Sequence, residues 1–96
     1  MDKQVALDLI RAALEEYRSL PYTSLVQIME KMDECPCKEV VGPDGKTYQI
    51  EVQLVWDDKP RSNLRVLASI DDGGFRAICP MTDSFILSPT GEFVGE

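Results

Sequence analysis

"TYQIEVQLVW", running from Thr47 to Trp56, is the stretch whose reading decides the fold. Tyr48, Ile50, Val52, Leu54 and Trp56 alternate with Gln49, Glu51 and Gln53. A period of two is that of a β-strand, and one apolar side beside one polar side describes an antiparallel sheet covered on a single face. Just upstream, "VVGPDGKTY" reads as a hairpin. Pro43 pre-sets the first central angle of a type I turn, Gly45 supplies the left-handed residue after it, and Val40 then lies near Tyr48.

Downstream, "WDDKPRSN" is a polar loop, and a second strand region follows in "VLASIDDGGFRAICP", Val66 to Pro80. If Asp72-Gly73 is a two-residue type I′ turn, Ile70 faces Phe75, Ala68 faces Ala77 and Val66 faces Cys79, all on one apolar face. Hairpin geometry alone then accounts for the aspartates and glycines, with no ligand required. The strand breaks at Pro80. "SFILSPTGEFV" repeats the earlier pattern of apolar run, Pro-x-Gly turn and apolar run, an echo of turn chemistry and not of a duplicated domain.

The N-terminal third changes period. Leu7, Ile10, Leu14 and Tyr17 recur at helical spacing, widened by Ala6 and Ala13, while Asp8, Arg11, Glu15 and Arg18 fall on the opposite, solvated face. Asp2 can cap this helix and Pro21 stops it. A second helix is expected from about Ser24, where Ser24 and Gln27 have capping-box spacing, with Leu25, Ile28, Met29 and Met32 as its apolar stripe and Pro36 as its end. Helices first and strands after give an α+β fold: a single domain over 1–96, with an N-terminal helical hairpin packed on one face of an antiparallel β-meander of about five strands.

Composition narrows function. Ten basic against seventeen acidic residues give a net charge of −7, a field that repels nucleic acid and anionic membrane surfaces and favours basic partners. No stretch has the length of a membrane span, and "MDKQVALDLI" lacks the apolar core of a secretory signal. Three cysteines, an odd number, then fit a reducing cytoplasmic location. The chain contains no histidine, which removes the usual general base and the commonest metal ligand.

The remaining candidates for chemistry are weak. Cys35 and Cys37 have one residue between them where zinc sites favour two to four, and Cys79 is claimed by the core, so no metal and no cofactor is called for. A cysteine nucleophile has only Lys38 as a neighbouring base. The pairs Glu15-Glu16, Asp57-Asp58 and Asp71-Asp72 are adjacent residues, and on a strand adjacent side chains point to opposite faces. The reading therefore leans away from an enzyme.

Two surfaces remain. On the outer face of the sheet, the expected register sets Gln53, Leu67 and Ile78 side by side, Val55 near Arg65, and Glu51, Ser69 and Arg76 in a row. This favours a protein-interaction module that uses the open sheet face or an edge strand, its partner another protein or a second copy. Alternatively, Trp56 walls a crevice at the end of its strand, with Arg65, Arg76 and Asp83 nearby, and binds a small molecule.

The C-terminal stretch "VLASIDDGGFRAICPMTDSFILSPTGEFVGE" resembles a family of small uncharacterised bacterial proteins. They share the aspartate-glycine hairpin, an aromatic-Arg-Ala run and a Pro-x-Gly-x-Phe-Val-Gly-Glu tail, and "YQIEVQLVWDD" is similar more loosely. The resemblance implies a bacterial origin; it adds no catalytic residue.

Overall fold

The computed structural model describes residues 3–31, 37–71 and 81–96. They form two helices and a four-stranded antiparallel sheet, an α+β architecture: α1 (Lys3–Arg18), α2 (Tyr22–Lys31), β1 (Cys37–Val41), β2 (Thr47–Trp56), β3 (Leu64–Asp71) and β4 (Met81–Leu87). Strand order follows chain order, β1-β2-β3-β4.

The alternation in β2 is realised as read. Tyr48, Ile50, Val52 and Leu54 are buried, and in β3 the even-numbered Leu64, Val66, Ala68 and Ile70 join them. The partners Val52–Ala68 and Leu54–Val66 keep these side chains on one face. Against that face α1 sets Ala6, Ile10 and Leu14, and α2 sets Leu25, all within one apolar cluster. Ala6 is fully buried while Leu7 is only partly covered, so the stripe is centred one residue earlier than the spacing of the larger side chains indicates.

Proline decides where α2 starts. The helix begins at Tyr22, with the Leu25 amide donating to the Pro21 carbonyl, so Ser24 lies inside the first turn and the expected capping box at Ser24 and Gln27 is not its start. Pro21 carries a helix-compatible φ and has no amide hydrogen to leave unpaired, which suits it to the mouth of a helix.

Both Pro-x-Gly turns are built alike. Gly45 donates to the Gly42 carbonyl at 3.0 Å and Gly42 to the Lys46 carbonyl at 2.9 Å; Gly91 donates to Ser88 at 2.9 Å and Ser88 to Glu92 at 2.8 Å. Gly45 and Gly91 hold φ of 79° and 88°, the left-handed conformation the turn requires. The first turn joins β1 to β2 with Val40 opposite Tyr48. The second folds the C-terminal segment back on β4 through a bridge between Leu87 and Phe93.

The partner of β3 is different from the expected one. One of its edges holds β2 and the other holds β4, with Val66 opposite Phe85, Ala68 opposite Asp83 and Ile70 opposite Met81. At Ile70, Ala68 and Val66, for which Phe75, Ala77 and Cys79 were the expected partners, both edges of β3 are thus held by β2 and β4. Phe75, Arg76, Ala77, Ile78 and Cys79 themselves lie outside the described residues, as do Met32, Cys35 and Pro36. The competing registers share their parity: Phe75, Ala77 and Cys79, like Met81, Phe85 and Leu87, are odd-numbered. In either register the apolar members of the pairing strand would fall on the inner face, so alternation alone does not choose between them.

Candidate functional site

The outer sheet face comes directly from this register. Its rows across the strands are Val55, Arg65 and Ile86; Gln53, Leu67 and Ser84; and Cys37, Glu51, Ser69 and Thr82. Val55 is 43% exposed, and Leu67 and Ile86 are half-buried. Ser84 holds the place beside Leu67 that was expected for Ile78, and Ile86, which sequence reasoning missed, adds an apolar group one row away, opposite Arg65. The signal available was the same period-two reading, applied to "SFIL" with β4 as the neighbour of β3. Arg65 is held in place there, its Nη2 and Nε donating to Asp57 Oδ1 at 2.8 and 3.2 Å. Towards β1 the same face becomes acidic through Glu39, Glu51 and Asp71.

Of the expected crevice residues, Trp56, Arg65 and Asp83 are not brought together, and Arg76 lies outside the described residues. Trp56 faces the helix side, half-buried at the margin of the core and opposite Leu64. Arg65 faces the other side. Asp83 is helix-facing but sits opposite Ala68, two core-facing rows from Trp56, with its Oδ1 accepting the Ser84 amide at 2.8 Å.

Asp83 instead lines a polar cleft of about 290 Å³ between α1 and β4, together with Arg11, Leu14, Glu15 and Arg18. A second cleft of about 310 Å³ opens between the α1–α2 link and the C-terminal turn, lined in part by Arg18, Tyr22, Thr23, Thr90 and Phe93. Trp56 lines neither cleft.

Arg18 is common to both clefts, and its guanidinium is engaged by the C-terminal segment instead of standing free on the solvated face of α1. Its Nη1 and Nη2 donate to Glu96 Oε1 and Oε2 at 2.9 Å each, a two-pronged ion pair. Its Cζ lies 4.8 Å from the ring centres of both Phe85 and Phe93, which meet edge to face at 5.7 Å. The hydrogen bond to Glu96 raises the Arg18 pKa further above its ordinary value, against a smaller opposing effect of burial. Each contact is individually modest: an exposed ion pair contributes about 0–1 kcal/mol and an exposed cation–π contact about 0.5–1 kcal/mol. The sequence carried one sign of this arrangement, an aromatic residue and a carboxylate three apart in the tail. The basic group that receives them lies far away in the chain and is not identifiable from local pattern.

Among the described residues no group of three His, Cys, Asp or Glu side chains could hold a metal ion, and no helix is long and apolar enough to cross a membrane. Cys37 is an exposed free thiol. The chain matches no family model, no curated protein and no solved structure.

Proposed function

We propose that this protein is a non-enzymatic interaction module that presents the outer face of its sheet to another protein. The observation that carries the proposal is that, among the described residues, the sheet is covered on one side only. Both helices contribute to the apolar cluster on one face, while the other face carries Leu67 with Val55 and Ile86 on either side of Arg65, and acidic side chains towards β1. An apolar patch next to carboxylates is complementary to a partner that sets apolar residues beside basic ones, and a chain of net charge −7 disfavours a second copy of itself there. In this reading the helical hairpin is a rigid backing, and the C-terminal segment bridged at Leu87 and Phe93 counts as a short fifth strand. The exposed thiol of Cys37 supports a reducing, cytoplasmic setting.

The test is an NMR titration of the labelled protein with a peptide of alternating valine and lysine. Amide shifts are expected on the outer-face positions of β2, β3 and β4, and they should be lost in a Val55→Ser, Leu67→Ser double variant that keeps every charge. Shifts that persist in this variant, or that fall on the helices, would overturn the proposal. So would a concentration-dependent mass of a dimer in light scattering.

A second reading, a small-molecule binder, is supported by the cleft of about 310 Å³ at Arg18, Tyr22 and Phe93, a volume at the lower end for ligand sites. Screening a metabolite library by NMR decides it: hits should move Tyr22, Thr23 and Phe93 resonances and leave the outer face untouched.

A further inference from the structure

We propose that the outer edge of β4, with Arg18 behind it, is a docking site for an extended segment of a partner protein, and that residues 92–96 are its built-in occupant. The partner segment carries an aromatic residue and a carboxylate on the same side.

The built-in occupant shows the chemistry. Phe93 bridges to Leu87, the Val94 amide donates to the Ile86 carbonyl at 2.8 Å, the Phe93 ring meets Phe85, and the Glu96 carboxylate takes both prongs of Arg18. This is strand addition with one aromatic and one acidic anchor. The occupant is short. Gly95, at φ 83°, turns the chain off the edge just after Val94, so the tail pairs with only the last two residues of β4. Among the described residues no strand pairs with the outer edge from Met81 to Phe85.

Because the pairing is antiparallel, a segment that stayed extended past the level of Leu87 would run along this open edge. Its residue level with Phe85 would be two beyond the aromatic one and on the same face, next to Arg18. A carboxylate there does what Glu96 does from the far side of a turn. A basic residue level with Asp83 would complete the match on the polar cleft. The site is distinct from the outer sheet face and stands whether or not that face binds.

The experiment uses the full chain and a labelled peptide, Ser-Glu-Phe-Val-Glu-Thr-Lys-Thr-Val, read by fluorescence anisotropy. Glu96→Gln loosens the built-in occupant and should tighten peptide binding about twofold to fivefold, the factor set by one exposed ion pair. A second peptide with glutamine replacing the glutamate after valine should bind more weakly than the first to this variant. That preference should vanish when Arg18→Lys is added, which keeps the charge but loses the fork. Comparing two peptides on one protein makes the readout independent of any change in stability. Amide shifts should fall on 81–87. No binding to Glu96→Gln, equal binding by both peptides, or a preference that survives Arg18→Lys would each overturn the proposal.

Discussion

At Gly42 the chain has no room for a side chain. A Cβ built there would lie 2.8 Å from Asp44 Oδ1, 2.9 Å from Tyr48 Cε2 and 3.0 Å from Val5 Cγ1. Tyr48 is fully buried and its ring cannot swing away freely. Gly42→Ala should therefore cost about 1–3 kcal/mol, the range for overpacking a core, read as a lowered urea midpoint with an unchanged slope. Gly45→Asn, at a site with open space and a left-handed backbone that asparagine tolerates, should cost clearly less. Equal losses would show that the turn and not the crowding is limiting.

The same turn holds a titrating contact. The Tyr48 hydroxyl donates to Asp44 Oδ2 at 2.6 Å, and chiefly through this bond the Asp44 carboxyl is held below its ordinary range. A carboxyl with a lowered folded-state pKa contributes stability that is present above its unfolded value and is lost as pH falls through its folded value. Between about pH 5 and about pH 2, spanning the ordinary aspartate value of about 3.9, the wild-type protein should thus lose more stability than Tyr48→Phe. Urea midpoints for both proteins across that window check it; parallel curves would mean that the hydroxyl does not favour the ionised form.

Among the elements, α2 has few attachments. Leu25 is its fully buried side chain, and the Tyr22 hydroxyl donates to the Ser62 carbonyl at 2.7 Å, tying the helix to the β2–β3 loop. Leu25→Ala should cost about 2–5 kcal/mol, as emptied core sites do, whereas Tyr22→Phe should cost about 1 kcal/mol for one lost hydrogen bond. Thermal melts of the two variants rank them, and a larger loss in Tyr22→Phe would identify the loop as the principal anchor.

The elements also show what the sequence made legible. The faces of β2 and β3 followed from alternation because the backbone imposes the period of two regardless of what lies next to a strand. The turns at Gly45 and Gly91 followed because only a residue at ease with positive φ closes them. The neighbour of β3 did not follow, since two apolar runs of equal parity were available and local geometry favoured the nearer one. Arg18 was misplaced for a related reason: helical periodicity describes which side of α1 it leaves from, not where a long side chain ends when a distant carboxylate and two rings receive it.

Over the whole molecule, charge and covering are divided unequally. Among the described residues the helices cover one face of the sheet and leave the other with its apolar groups and acidic flank, and the proposed interaction role rests on this asymmetry. Val55→Ser and Leu67→Ser act on the partly open side, so they should reduce binding while changing the melting temperature little compared with Leu25→Ala. A large loss of stability would reassign these residues to packing.

The strand order has a kinetic consequence. Among the described residues each strand pairs with its neighbour in the chain, so the sheet can zip from neighbouring pairs without first closing a long loop. The exception is α1, which precedes the strands in the chain yet is seated mainly on β3 and β4, with Arg18 reaching Glu96. During synthesis this amphipathic helix must wait for β3 and β4 before its oily side is covered, so the slow, exposed stage of folding belongs to α1.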